Sequence, residues 1–203
     1  MTMTTRRCLL ALALLAPLTA RAETPPTAPV TALDEGILAV MKAARTTSFA
    51  QRAAMFTPVV QGAFDLPRIV RNSVGLQYAS FSPTVQAELL DVFTQFTVAS
   101  YVANFDDYNG ERFEILPATR RVGADEVVAT RIILTHGEPA KIDYVVRREG
   151  DTWKIVDVLL NGSISRVALQ RSDFHSLLVG GSAEPLIASL RRKVARLAEG
   201  QTG

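Results

Sequence analysis

The most informative segment of the chain is Trp153-Lys154-Ile155-Val156-Asp157-Val158-Leu159-Leu160-Asn161-Gly162-Ser163. Its first eight residues are mostly apolar or β-branched, which is typical of a strand, and the Asn-Gly pair that follows marks a turn. Apolar residues occupy both alternating faces, Trp153, Ile155 and Leu159 on one, and Val156, Val158 and Leu160 on the other. We therefore expect a strand that is covered on both faces and leads through a turn into a helix.

An alternation of apolar and polar residues also occurs upstream of this segment. With the segment itself, it predicts four strands: Glu111 to Leu116, Glu126 to Thr135, Ala140 to Arg147 and Thr152 to Leu160. Only short turn-forming stretches separate these strands, and short connections favour antiparallel pairing. The sequence thus predicts an antiparallel sheet of about four strands.

Helical signals flank the predicted sheet on both sides. Upstream, four residues are candidate helix N-caps: Thr31, Ser48, Asp65 and Ser82. The helix after Ser82 is expected to reach about Asn104, and its unusually wide apolar stripe needs cover on more than one side. Two further helices are predicted downstream, over about 164–179 and 183–199. This order predicts an α+β fold in which N- and C-terminal helices wrap the sheet.

The N-terminus has the features of a cleavable export signal. Arg6 and Arg7 precede an apolar run that is too short to span a bilayer, which disfavours a permanent anchor. Ala20-Arg21-Ala22 is the small-x-small pattern of a signal peptidase site, so we expect residues 1–22 to be removed near Ala22. The pattern leaves open whether the signal is of the general secretory or the twin-arginine type. We expect residues 23–30 to form a flexible leader and residues 31–203 to form a single domain.

Charge and cysteine content exclude several classes of function. Removal of residues 1–22 takes away three of the 22 basic residues, which leaves 19 basic residues against 20 acidic ones. This balance gives no basis for nucleic-acid binding, which requires a clustered basic surface. The only cysteine is Cys8, which lies in the expected signal. The exported chain must therefore be stabilised by its core rather than by disulfides.

Few residues are candidates for catalysis or metal binding. His136 and His175 have no partner at ligand spacing, and the chain contains no nucleophile turn or phosphate-binding loop, so no catalytic residue, metal or cofactor is predicted. Asp157 is the one acid inside an apolar strand. It is either a general base or, as we favour, an acid whose oxygens accept hydrogen bonds from backbone donors at the following turn or helix.

A basic run in the last predicted helix, Arg191-Arg192-Lys193 with Arg196, has two interpretations. It lies opposite an apolar stripe, so the simpler one is a solvated helix face. The other is a contact with an anionic membrane or an acidic docking surface.

Three segments carry a resemblance to a known family: Phe64 to Arg68, Tyr101 to Gly110, and the 153–163 segment. They resemble the MlaC family, also called toluene-tolerance or auxiliary transport proteins. The downstream stretch from Ile164 to Phe174 is most similar to the hopanoid-associated branch, HpnM. The resemblance covers about residues 33–197 and lies in the spacing of aromatic, glycine and strand residues.

The resemblance implies a soluble periplasmic carrier rather than an enzyme. Its cargo would be a membrane lipid, either a phospholipid or a hopanoid, held in a deep apolar pocket with the headgroup near the mouth. The implied partners are an inner-membrane lipid transporter or export pump and an outer-membrane acceptor complex.

No family motif specifies the pocket positions, so the candidate lining comes from the inward faces of the predicted elements. We expect the cavity between the last two strands and the long helix. The candidate lipid-binding residues are Phe56, Val60, Phe64, Ile69, Leu89, Phe93, Phe96, Tyr101, Ile133, Ile142, Tyr144, Val146, Trp153, Ile155, Val158, Leu160 and Ile164. Two alternatives stay open: a small-substrate enzyme that uses Asp157 as a base in a cone-shaped α+β pocket, and an envelope interaction module with a solid core.

Overall fold

The computed structural model describes residues 24–178 and 180–201, so the expected signal peptide lies outside the described residues. The helices are α1 (Ala28–Ala43), α2 (Phe49–Ala63), α3 (Leu66–Val74), α4 (Pro83–Asn104), α5 (Arg166–His175) and α6 (Glu184–Ala198), with a short 3₁₀ helix at Gly75–Ser80. The strands are β1 (Arg112–Val122), β2 (Asp125–Ile133), β3 (Ala140–Glu149), β4 (Thr152–Leu160) and β5 (Ile164–Ser165).

The five strands form one sheet in which each strand pairs with the next in the antiparallel sense. Helices flank this sheet, which confirms the α+β prediction. β1 extends well beyond the predicted Leu116 because an irregularity in register between Ile115 and Thr119 accommodates Pro117. β5 was not predicted; its two residues pair with the end of β4, so α5 begins at Arg166 rather than at Ile164.

Three of the four predicted N-caps are confirmed. Ser48 Oγ accepts a hydrogen bond from the Gln51 amide at 3.2 Å, and Gln51 Oε1 accepts one from the Ser48 amide at 2.8 Å. Asp65 accepts from the Arg68 amide at 3.0 Å, and Ser82 accepts from the Val85 amide at 3.4 Å. Each side chain satisfies a backbone donor that has no partner within the first helical turn.

The fourth N-cap prediction is wrong. Thr31 lies inside α1, which begins at Ala28, and Val30 has no exposed surface. The Trp153 indole Nε1 donates a hydrogen bond to the Thr24 carbonyl at 3.0 Å. The part of the expected 23–30 leader that the structure describes is therefore attached to the domain at both ends, since apolar Val30 and Pro29 are buried against it.

A β-bulge decides which residues of β4 face the helices. Val145 pairs with Asp157, whereas Val146 pairs with Ile155, so one residue of β4 is left without a partner. Beyond this shift, Tyr144 lies opposite Val158, and Ile142 lies opposite Leu160. The extra residue reverses the strict alternation of the sequence and brings Ile155, Val158 and Leu160 to the same face.

The helices pack mainly against β4. α1, α2, α3 and α5 all contact β4, and α4 packs against α2 and α6. The Asp65 amide donates to the Ile155 carbonyl at 2.9 Å, which fixes the α2–α3 junction to the middle of β4. Ile155, Val156 and Val158 are all buried, as expected for a strand that is covered on both faces.

Candidate functional site

Three adjoining cavities lie along α4, two of them between α4 and the sheet and the third between α4 and α6. The inner cavity has a volume of about 30 Å³, the middle cavity about 250 Å³ and the outer cavity about 510 Å³. Tyr101 and Val158 line both the inner and the middle cavity, and Ser100 and Asn104 line both the middle and the outer one. Arg166 lines all three, so the cavities form one row with shared walls.

The row passes from a mainly apolar interior to a polar mouth. The inner cavity is bounded chiefly by buried apolar side chains, among them Phe64, Leu66, Ile69 and Phe93. Ile142, Tyr144 and Leu160 contribute the sheet wall of the middle cavity, and Phe105 closes it from the end of α4. The outer cavity lies between α4 and α6 and is lined by Phe96, Lys193, Arg196, Leu197 and Gln201 together with the shared residues. An amphipathic ligand suits such a gradient, because each end meets surroundings of its own polarity.

Asp157 fixes the first turn of α5, the helix that supplies Arg166, Val167 and Gln170 to the cavity wall. Its Oδ1 accepts hydrogen bonds from the amides of Val158 at 2.8 Å and Val167 at 3.1 Å. Its Oδ2 accepts one from the Ser165 hydroxyl, whose own oxygen caps α5 by accepting from the Ala168 amide at 3.0 Å. The carboxylate therefore joins the end of β4 to the first turn of α5, which agrees with the favoured interpretation of a satisfied structural acid.

Tyr101 is the central side chain of the row. Its ring packs against Phe56 with centroids 5.5 Å apart and stacks on Phe105 at 6.1 Å. Burial of its hydroxyl raises the pKa of Tyr101 to about 12, while the nearby Arg166 guanidinium acts in the opposite direction. Burial likewise raises the pKa of Tyr144 well above its usual value. Both phenols are therefore neutral at physiological pH and serve as polar but uncharged parts of the wall.

The mouth of the row carries positive charge. Arg166, Lys193 and Arg196 line the outer cavity, and none of the described residues that line the outer or the middle cavity is acidic. The Lys193 ammonium group lies 5.6 Å from the centroid of the Phe96 ring, a cation–π distance. In contrast, Arg191 on the same helix forms an ion pair with Glu88 at 2.7 Å. The basic run of α6 is thus divided between a cavity wall and an ordinary surface pair.

The structure brings nine of the seventeen predicted lipid-binding residues to the walls of the row. These are Phe64, Ile69, Phe93, Phe96, Tyr101, Ile142, Tyr144, Val158 and Leu160. They come from α3, α4, β3, β4 and the end of α2.

The other eight predicted residues lie elsewhere. Five are fully buried in tightly packed core: Phe56, Val60, Leu89, Val146 and Ile155. Trp153 lines a separate surface depression with Thr24 and Pro29. Ile133 is half-buried on β2, and Ile164 is 46% exposed at the sheet edge because it pairs in β5. None of these eight side chains lines the three cavities, although the Phe56 ring packs against that of Tyr101 from the core side.

The wall residues that sequence reasoning missed are mainly polar. Arg166 and Gln170 come from α5, Asn104 from the end of α4, and Lys193 and Arg196 from α6. Apolar inward faces are what indicates a lipid pocket in a sequence, so charged and amide side chains do not stand out as wall residues. No local pattern distinguishes Arg166 from a surface arginine, because its place on the wall follows from the packing of α5 against β4.

The described part of the chain meets the requirements of neither a metal site nor a membrane-spanning helix. Within residues 24–178 and 180–201, no group of three or more histidine, cysteine, aspartate or glutamate side chains is arranged to hold a metal ion. Both histidines are exposed. None of the described helices is both long and apolar enough to cross a bilayer.

Comparisons with known proteins identify relatives of this fold. The sequence model of the MlaC protein family matches residues 32–192. The structure is similar to that of a phospholipid-binding protein from Ralstonia solanacearum, solved in complex with a phospholipid. The TM-score is 0.75 at 20% sequence identity, and the match covers 86% of this chain and 99% of that one. No curated protein matches the chain significantly.

Proposed function

Because the chain belongs to the MlaC family, we propose that it is a periplasmic carrier that binds a membrane lipid and moves it between the inner and outer membranes. The observation that carries this proposal is the row of adjoining cavities along α4, apolar at its inner end beside the sheet and polar at its mouth beside α6. MlaC is a periplasmic family, and the export signal expected at residues 1–22 agrees with that location.

The physical requirement for such a carrier is an apolar enclosure. Exposure of an acyl chain to water costs about 0.8 kcal/mol per CH₂, so a lipid crosses an aqueous space only if its chains are covered. The inner cavity, at about 30 Å³, has room for roughly one water molecule. A chain therefore enters only if Tyr101, Val158 and Arg166, which separate the inner and middle cavities, move apart. We expect the cavities to merge when lipid binds.

The favoured cargo is a phospholipid, since the similar protein from Ralstonia solanacearum was solved with one. A hopanoid is the other candidate. As partners we propose an inner-membrane lipid transporter or export pump and an outer-membrane acceptor complex. The enzyme alternative is disfavoured because both oxygens of Asp157, the proposed base, accept hydrogen bonds from the protein.

Lipid extraction and transfer assays test the carrier proposal. Protein purified from a periplasmic extract is expected to carry stoichiometric lipid in native mass spectrometry. It is also expected to accelerate transfer of a labelled phospholipid from donor to acceptor vesicles in proportion to protein concentration. Protein that is folded by circular dichroism but neither carries lipid nor transfers it would refute the proposal and favour the interaction module.

A further inference from the structure

Arg166 differs from most of the other arginines near the sheet. Arg68 pairs with Asp65 and Glu149, Arg131 with Glu114, and Arg147 with Asp125. Within the described residues, the half-buried Arg166 guanidinium has neither an ion pair nor a side-chain hydrogen bond. Among the described residues, Asp157 supplies the one carboxylate that lines the row, and it accepts hydrogen bonds from Ser165 and two backbone amides. Arg166 is thus a cation on a cavity wall without a counter-ion.

We propose that Arg166 binds the phosphate group of a phospholipid headgroup, with Lys193 and Arg196 providing further positive charge at the outer side. This inference rests on the proposed carrier function and assigns the residues that recognise the headgroup of its cargo. An unpaired guanidinium that is partly removed from water is unfavourable. A phosphate compensates for this, because its oxygens match the planar donor pair of the guanidinium in a bidentate contact.

The position of Arg166 also orients the ligand. A phosphate at its guanidinium lies where the three cavities meet, with Ile142 and Leu160 on the sheet wall of the middle cavity. Acyl chains attached to that phosphate extend into the middle and inner cavities, whereas the polar substituent extends into the outer cavity towards Lys193 and Arg196. An uncharged polycyclic lipid offers nothing to neutralise these three cations. The site therefore discriminates against it.

The test measures lipid preference rather than lipid amount. Wild-type protein is loaded from vesicles that contain equal amounts of a phosphatidylglycerol and a diacylglycerol with the same acyl chains, and bound lipids are counted by mass spectrometry. We expect wild type to be enriched in the phospholipid, and Arg166→Gln to lose about tenfold or more of that enrichment while it binds a similar total. Arg191→Gln is the matched control, since it removes the same charge from an ion pair outside the row. It should retain the wild-type preference.

Two further variants separate recognition from folding. Arg166→Lys keeps the charge but loses the planar fork, so its preference should lie between those of wild type and Arg166→Gln. The double variant Lys193→Gln/Arg196→Gln changes only the mouth and should lose part of the preference. Arg166→Gln should unfold at the wild-type urea concentration, because Arg166 has no partner within the described residues to lose. If it does not fold, the other two variants still decide the result.

The outcomes are distinct. Equal lipid preference in wild type, Arg166→Gln and the mouth variant would overturn the phosphate site and leave the carrier proposal intact. No bound lipid of either class in folded wild type would overturn the carrier proposal itself. Inorganic phosphate is titrated in a separate arm; if it binds at Arg166 while the protein shows no preference between the two lipids, the site takes a free anion and the headgroup assignment is wrong.

Discussion

Two parts of the same apolar core differ in how they are filled. In the first, which we call the solid region, Phe56, Val60, Leu89, Val146 and Ile155 have no exposed surface. In the second, the hollow region, Phe93, Tyr101, Val158 and Leu160 face the row of cavities. Residue types are similar in both regions, and Leu89 and Phe93 lie one helical turn apart on α4. Apolar composition alone therefore does not distinguish a packed core from a ligand cavity.

Two ionisable side chains inside the fold, Asp34 and Arg166, differ in how they treat charge. Asp34 on α1 is buried, and its Oδ1 has no hydrogen-bond partner in the described residues. Burial, with a smaller contribution from the neighbouring Glu35, raises the pKa of Asp34 to about 7, so the acid is largely protonated below that pH. Arg166 in the hollow region is a permanent cation. The buried Asp34 thus avoids charge by protonation, whereas Arg166 keeps its charge, for which we propose a lipid phosphate as counter-ion.

Truncation in the solid region should have the largest effect on stability. We expect Phe56→Ala to lower the free energy of unfolding by about 3–5 kcal/mol, because the removed ring leaves a void next to Tyr101. Urea denaturation measures the loss. Leu76→Ala, at a side chain that is 92% exposed, is the control and should change stability by less than about 0.5 kcal/mol. A loss below 1 kcal/mol at Phe56 would mean that this region is not tightly packed.

The protonation of Asp34 should make stability depend on pH. Its pKa in the folded protein is about 7, against 3.8 for an ordinary aspartate, so the native state binds the proton more tightly than the unfolded state. Protonated Asp34 therefore contributes stability that is fully present below about pH 4. As pH rises to about 7 this contribution is lost, and the free energy of unfolding falls by an amount on the order of 4 kcal/mol.

Urea denaturation of wild type and Asp34→Asn between pH 4 and pH 8 tests this expectation. The wild type should become less stable than the variant as pH rises, because asparagine stays neutral throughout. Parallel stability curves for the two proteins would show that Asp34 does not titrate in this range.

Enlarging one side chain in each region separates packing from binding. Leu89→Phe adds volume where there is no space and should cost about 1–3 kcal/mol without changing lipid content per folded molecule. Val158→Phe fills the wall between the inner and middle cavities, so it should cost less stability and reduce lipid loading severalfold. Native mass spectrometry and urea denaturation measure both effects. If both variants lose only stability, or both lose only lipid loading, the two regions do not differ in how they are filled.

The smallest effect is expected for Asp157→Asn. Asparagine keeps one acceptor oxygen for the amides of Val158 and Val167, so we expect a loss of about 1 kcal/mol and nearly normal lipid binding. Thermal unfolding and the transfer assay measure the two quantities. A folded variant without any transfer activity would instead support a catalytic role for the carboxylate.

Local signals predicted most of the fold because they act over a few residues. The caps at Ser48, Asp65 and Ser82 use donors within three residues, and the limits of β4 agree with the prediction. Predictions failed where a distant segment decided the outcome. α1 begins early because Val30 is buried by the domain, and α5 begins late because Ile164 pairs with Leu160.

The candidate site depended still more on contacts between distant segments. The sequence by itself determined the fold class and the apolar inward faces, since hydrophobic periodicity shows which face of an element avoids water. It did not separate the nine candidates that line the cavities from the eight that do not. Only the tertiary structure decided which apolar residues pack against each other and which face open space. It also brought Arg166, Lys193 and Arg196 to one mouth from two helices. The reason is physical: burial follows from residue type, whereas a cavity is the absence of a neighbour, and that depends on how separate elements meet.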